Sequence, residues 1–397
     1  MGNRSRVRLR GGIATLVVIT GAAGAAATAS ASERSSAAPK AVPIGVILDT
    51  SGPFKSFGTD IKASVTLAAG RSRGANGTNL DLHFKDSSGR PDQAVIAERE
   101  LADDGVFAIV GPISSGEAEV TFAQAGQIQI PILTGTANKP GITTLGHGWA
   151  FRNTATNDQI FTRVMPIFTK KYKVKKVAMI YDARQPVAAS AATATIPPVA
   201  AKLGVQIVET ITIQTGQTDF TSAVQRVKAA RGINGLFVMT APVEGGLLAR
   251  ELARQGVKHP VLGLQAQNSR AFRQTAGSSL GVWVVPSIFF APAVHGGLKF
   301  VTDLRKATGN PTPVPESATY YDIIGMIAKV ARGAKITGST STRTARQRIR
   351  DGLAKIKNYP GISGRTTFTK SGDARKQIYA LRITRTGARR VTLTSNR

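Results

Sequence analysis

Residues Phe107 to Asn138 read FAIVGPISSGEAEVTFAQAGQIQIPILTGTAN. The apolar run Phe107 to Val110 has the character of a parallel strand buried on both faces. Gly111-Pro112-Ile113-Ser114-Ser115-Gly116 turns the chain, Glu117 to Gln127 reads as a helix, and Ile130 to Leu133 is a second buried strand ending in Thr134-Gly135-Thr136. Strand, small-residue turn, helix and strand make a βαβ unit. In an open α/β sheet the ligand crevice lies outside the carboxyl ends of the strands. Ile113 to Gly116 and Thr134 to Ala137 both fall at such ends. The first also presents backbone N–H groups at a helix N-terminus, which suit an anion. The unit predicts a crevice for a small anionic or zwitterionic molecule.

Upstream of this unit, Val42 to Leu48 is a strand that ends in the turn Asp49 to Pro53, and Gly58 to Ala69 has helical spacing of its apolar residues. Leu80 to Phe84 follows as a strand, and Asp92 is placed to cap a helix over Gln93 to Asp103. Downstream, the alternation of strand and helix begins again with Asp158 to Tyr172 and Lys176 to Tyr181, and Ala188 to Leu203 reads as a helix broken at Pro197-Pro198. Trp283 to Ile288 returns as a strand, Ser317 to Ala331 is a helix, and Arg343 to Ile356 is a basic amphipathic helix. Gly361 to Phe368, Gln377 to Thr384 and Arg389 to Leu393 close the chain as strands, with Ser371-Gly372-Asp373 as a hairpin turn. The same alternation run twice is what two α/β lobes would give.

The N-terminus carries a separate message. Arg4, Arg6, Arg8 and Arg10 precede an uncharged stretch that ends in Ala29-Ser30-Ala31, an A-x-A cleavage site. That order predicts a secretory signal peptide over residues 1–31, cleaved near Ala31, and a flexible leader over 32–41. The mature chain is then expected outside the cytoplasmic membrane, in the periplasm or cell envelope. The rival reading, an uncleaved anchor, is opposed by the weakly apolar Gly/Ala/Thr-rich second half of the stretch.

Formal net charge is +29, and removing the four leader arginines leaves +25. The basic residues are spread along the chain without RNA-binding aromatic motifs, so no nucleic acid is expected as partner. Solvation or attraction to an anionic cell envelope accounts for the charge better. There is no cysteine, which excludes disulfides, thiolate metal sites and a cysteine nucleophile. His83, His147, His259 and His295 lack metal-ligand spacing. With no acid–base or nucleophile constellation, neither an enzyme nor a cofactor is expected.

The markers Ser51-Gly52-Pro53, Phe57-Gly58, Asp86 to Ala94 (DSSGRPDQA), Gly111 to Gly116, Pro131 to Asn138, Phe151-Arg152, Tyr321-Asp322 and Gly361 to Asp373 occur in order along nearly the whole mature chain. Together they resemble the periplasmic solute-binding proteins of branched-chain amino acid ABC transporters, the leucine/isoleucine/valine-binding-like proteins. The resemblance implies an α/β fold of type I: two Rossmann-like lobes with parallel-rich sheets joined by a hinge, over 42–155 with 286–378 and over 156–285 with 379–397. It implies capture of an amino-acid-like solute between the lobes and delivery to a membrane permease, with no reaction chemistry.

Carried over residue by residue, the resemblance places the ligand carboxylate on Ser114 and on groups around Gly135, Thr136 and Ala137, with Phe57 as an aromatic cover. Ser114 and Ser115 also read as helix-capping turn residues. Three positions depart from the family pattern. Pro186-Val187 stands where relatives have tyrosine and glycine. Gln265 stands where they place an acid for the ligand ammonium. Ala137, next to Thr136, stands where they have a carboxylate-binding threonine. Residues near Pro186, Pro242 and Gln265 are expected to meet the ligand on closure. A buried ammonium needs a paired anion, so either Glu316, Glu244 or another acid substitutes, or the ligand has no ammonium. Glu316 also reads simply as the start of a helix. The rivals to import are a sensor that reports an amide or aromatic acid to a non-transport partner, and an envelope-associated protein that binds through Arg343 to Arg350.

Overall fold

The structure, a computed structural model, describes residues 40–73 and 77–393. The expected signal peptide and all but the last two residues of the expected leader lie outside the described residues. The chain opens with β1 (Val42–Leu48), α1 (Lys55–Ser72), β2 (Leu80–Asp86), α2 (Pro91–Asp103), β3 (Ala108–Val110), α3 (Ser115–Ile128), β4 (Ile132–Thr134) and β5 (Ala150–Arg152). These strands form a five-stranded parallel sheet in the order β2-β1-β3-β4-β5. Alternate residues face opposite layers. Ile44, Val46, Ala108, Val110 and Leu133 enter one apolar core, and Ile47, Ile109 and Ile132 enter the other. Burial on both faces is why these strands read as unbroken apolar runs.

The chain then builds α4 (Asn157–Tyr172), β6 (Lys176–Asp182), α5 (Pro186–Ser190), α6 (Ile196–Lys202), β7 (Gln206–Ile213), α7 (Thr221–Ala229), β8 (Gly235–Met239), α8 (Pro242–Arg254), β9 (Val261–Gly263), α9 (Arg270–Ala276) and β10 (Trp283–Ser287). It returns to the first half through α10 (Gly297–Thr308), α11 (Ser317–Gly333), α12 (Thr342–Ala354) and the small hairpin β11 (Tyr359–Gly361) and β12 (Gly364–Thr366). Last come β13 (Tyr379–Thr384), which pairs antiparallel with β10, and β14 (Gly387–Val391), which pairs antiparallel with β13, completing a seven-stranded sheet ordered β14-β13-β10-β9-β8-β6-β7. Its two faces are again buried: Val177, Met179, Phe237 and Leu262 on one side, Ala178, Ile180, Leu236 and Val238 on the other. The fold is mixed α/β with parallel-rich sheets. Among the described residues no helix is long and apolar enough to cross a membrane.

Several local expectations are corrected. Pro91 occupies the first turn of α2 and Arg90 the cap position, so Asp92 lies inside the helix and not at its cap. Proline suits that place because its missing N–H would have no partner there. Pro197-Pro198 does not end the helix. A π-helical turn, Ala191–Thr195, precedes them, and both prolines stand in the first turn of α6, where their missing N–H groups cost least. Gly361 to Phe368 is not one strand, since Ile362 and Ser363 turn the chain between β11 and β12. The turn Ser371-Gly372-Asp373 docks on β5 through Arg152, which is fully buried and reaches Asp373 Oδ1 from Nε at 2.9 Å. All of β10 belongs to the seven-stranded sheet.

The basic helix α12 is partly committed to structure. Arg346 donates to the carbonyls of Val106 (2.8 Å) and Ala102 (2.9 Å) at the end of α2, and the Arg350 guanidinium lies 4.7 Å from the Trp149 ring centre.

Candidate ligand-binding cleft

Gly111 begins the first wall. Its φ is +115°, and a Cβ there would lie 2.1 Å from the Ile47 carbonyl oxygen, so only glycine lets β3 end this close to β1. Three residues later Ser114 caps α3. Its Oγ accepts from the Glu117 N–H at 3.2 Å, and the Glu117 carboxylate accepts from the Ser114 N–H at 2.9 Å, a reciprocal capping box. Glu117 is fully buried and also accepts from the Ser87 hydroxyl. Burial pushes its carboxyl above the ordinary value against these hydrogen bonds. The Ser114 hydroxyl proton and the N–H groups of Ser115 and Gly116 have no acceptor among the described residues, so donors remain at this helix end.

Beside them, β4 ends in a hydroxyl network. Thr136 Oγ1 donates to Ile113 O and lies 2.9 Å from the Tyr320 hydroxyl, which in turn donates to Pro112 O at 2.9 Å. The network ties the two turns of the βαβ unit to α11. Ser115 Oγ accepts from Lys139 N–H at 3.2 Å, which fixes the following loop.

A cleft with an empty volume of about 560 Å³ opens here between the halves. From the first half it is lined by Phe54, Phe57, Ile113, Ser114, Ser115, Thr136, Asn138 and Glu316. The second half contributes Asn157, Ile160, Phe161, Val187, Leu264, Gln265, Ala266 and Pro286. Its mostly apolar lining with a few polar groups suits a small organic molecule. Among the described residues no cluster of acids and histidines could hold a metal ion.

Among the described residues Glu316 is the one acidic group that lines this cleft. It precedes α11, is 1% exposed, and caps nothing with its side chain. Its Oε2 has no hydrogen-bond partner, and neither has Oε1 of the buried Gln265. Burial pushes the Glu316 carboxyl up to about 7, while its own backbone N–H and the Gln265 amide pull the other way. A buried polar atom without a partner is costly, so two unsatisfied acceptors in one cleft mark a place for a donor.

The structure thus brings Phe57, Ser114, Ser115, Thr136, Gln265 and Glu316 into one cleft. Phe57 lies on the first turns of α1, edge-on to Phe54 at 5.9 Å, rather than on a free turn. The other expected site residues lie outside it. Gly135 lets α11 approach: a Cβ there would sit 2.4 Å from Thr319 Oγ1. Ala137 is buried in the core behind the sheet and gives its carbonyl to Arg152 Nη1 at 3.0 Å. Pro186 opens α5 and meets Gly116 across the halves, and Pro242 opens α8. Glu244, the alternative acid, accepts from the Gly216 N–H at 2.8 Å and does not line the cleft.

Asn138, Asn157, Ile160 and Phe161 were not anticipated. A signal for the last three existed: Thr156 and Gln159 form a capping box, which places Asn157 and Ile160 in the first turn of α4 at the start of the second half.

Comparison with known proteins agrees with this architecture. The family model described as periplasmic binding protein matches residues 41–388. A Leu/Ile/Val-binding protein homolog 3 of Brucella melitensis is 26% identical over 354 residues, covering 85% of this chain and 90% of that one. A leucine-binding protein from Thermotoga maritima superposes with a TM-score of 0.79 at 19% identity, covering 88% of this chain and 97% of that one. A solute-binding protein of an ABC transporter from R. palustris, solved in complex with benzoate, gives 0.78 at 15% identity, with 89% and 96% covered. The chain belongs to the periplasmic binding protein family and has its type I fold.

Proposed function

We propose that this protein captures a zwitterionic amino acid with an apolar, branched-chain-type side chain, outside the cytoplasmic membrane, and delivers it to the permease of an ABC transporter. The observation that carries the reading is the pair of unsatisfied acceptors, Glu316 Oε2 and Gln265 Oε1, in the same cleft as the donor-bearing N-terminus of α3. An α-carboxylate would accept from the Ser114 hydroxyl and the Ser115 amide. An ammonium would donate to Glu316 and Gln265. The hydrocarbon part would rest on Phe57, Ile160, Phe161, Val187 and Leu264. Glu316 thus supplies the negative charge that Gln265 lacks.

The second reading, an aromatic carboxylate of the kind held by the R. palustris relative, is favoured by one observation. A carboxyl pushed to about 7 is substantially protonated near neutral pH and would need no ammonium opposite it.

Thermal shift and calorimetry with leucine, isoleucine, valine, benzoate and 4-methyl-2-oxopentanoate separate the two, because the last is leucine without its ammonium. Leucine-type ligands at about a thousand times Kd should add about 4 kcal/mol, a shift of several degrees, while the keto acid gives none. Equal binding of the keto acid or benzoate would overturn the amino-acid reading. Co-purification with a permease separates transport from sensing.

A further inference from the structure

A second cleft, with an empty volume of about 960 Å³, has in its wall Phe289 to Pro292, which lead from β10 back to the first half, and Thr312 to Pro315, the loop between α10 and α11. From the first half α10 contributes Leu298, Phe300, Val301, Leu304 and Arg305. The second half contributes Arg273 of α9 together with Leu381 and Gly387 of the terminal hairpin. Among the described residues no aspartate or glutamate lines it, whereas two arginines do.

Arg273 is 7% exposed. Its Nε donates to Thr384 O at 3.1 Å, and its Nη2 donates to Gly387 O at 3.0 Å and to the Asn268 side-chain oxygen. These are neutral acceptors, and Nη1 has none among the described residues. Burial of this cation with no carboxylate to answer it pushes the guanidinium down to about 10. A buried charge without a counter-ion is expensive, and a planar guanidinium with a free nitrogen is suited to a carboxylate. Around it the walls are hydrocarbon: Phe289 and Phe300 meet edge-on at 5.9 Å, and Leu298 is 63% exposed, the most open large apolar side chain among the described residues.

We propose that this cleft is a second binding site, for a small carboxylate with a hydrocarbon body such as a medium-chain fatty acid. Its carboxylate lies on Arg273 with Arg305 near it, and its chain lies against Phe289, Leu298 and Phe300. The assignment is independent of what the first cleft holds. It also differs from a purely structural role for Arg273 as a tie to the β13–β14 turn, which would need no free guanidinium nitrogen and no apolar channel.

Octanoate titrated into the full chain, read by methyl NMR on Leu, Val and Ile, tests it. The methyls of Leu298, Val301, Leu304, Val314 and Leu381 should shift saturably, while Ile160, Val187 and Leu264 of the first cleft stay still. Arg273→Gln should weaken that binding about tenfold or more. Val301→Trp, which fills the channel and leaves the arginine untouched, should weaken it likewise and decides the matter if the arginine variant does not fold. Shifts confined to the first-cleft methyls, no saturable shift up to about 10 mM, or unchanged binding in a folded variant would overturn the proposal.

Discussion

Glu316 Oε2 and Gln265 Oε1 face one cleft from opposite halves of the molecule, and neither has a hydrogen-bond donor. Each half therefore supplies one acceptor of the pair. Elsewhere the buried polar groups around the cleft are well matched: Thr134, Thr136, Tyr320 and Asn138 all have partners. The unsatisfied pair stands out against that background.

If an ammonium fills this place, affinity depends on the charge of Glu316. Burial pushes its carboxyl up to about 7, and a bound cation favours the ionised form. Affinity for leucine should then rise with pH up to about 7, by up to tenfold per unit below that, with proton release on binding. Stability of the free protein moves the other way. The folded-state value lies above the ordinary 4.5, so the folded form holds the proton more tightly. This group's contribution is present at low pH and is lost as pH rises through that window. Calorimetry in buffers of differing ionisation enthalpy reads the release, and Glu316→Gln should flatten both slopes.

Gly116 meets Pro186 across the halves. A Cβ at Gly116 would lie 3.3 Å from Pro186 Cγ, tight enough that the proline must give slightly, and a branched side chain would project further. Gly116→Val should weaken ligand binding about tenfold by opposing closure, while the melting temperature of the free protein changes little. An unchanged Kd would show that closure does not need this contact.

Ser114→Ala removes two things at once. Loss of the cap on α3 should cost about 1 kcal/mol of stability, read from the urea midpoint. Loss of the free hydroxyl donor should raise Kd separately by about tenfold. A stability loss with no change in affinity would make Ser114 a cap alone.

Glu98 is fully buried on α2, and neither carboxylate oxygen has a partner. Burial pushes its carboxyl up to about 8 from the ordinary 4.5, so stability falls as pH rises through that range. Glu98→Leu should remove that part of the pH slope and add about 2 kcal/mol or more at pH about 9. Urea unfolding at low and high pH checks it, and a variant less stable at both would show that the carboxyl is matched by something else.

Much of this architecture was legible in the residues. The βαβ unit could be read because Ala108 to Val110 and Ile132 to Thr134 are buried on both faces and so carry no polar alternation. Ser114 fell at the cleft because a strand end and a helix start coincide there. Other features were hidden by local ambiguity. Pro315-Glu316-Ser317 reads as an ordinary helix start, and only the tertiary fold shows that the carboxylate caps nothing. Pro197-Pro198 signals a break, and in the fold the pair stands in the first turn of α6, after a π-helical turn that the residue pattern does not announce. The arginines of α12 read as a solvated basic face, yet Arg346 and Arg350 are spent on carbonyls and on Trp149, partners distant in sequence. Gly135 and Ala137 border the right turn but point their space at α11 and the core.

The close approach of Pro186 to Gly116 has a kinetic corollary. A solute enclosed behind that seam would leave only when the two sides swing apart, and the swing would break its contacts to one side, so its dwell time would lengthen with the strength of those bridging contacts. Stopped-flow release into a trap should then be slower for cargoes that reach both Glu316 and Gln265 than for cargoes that reach one.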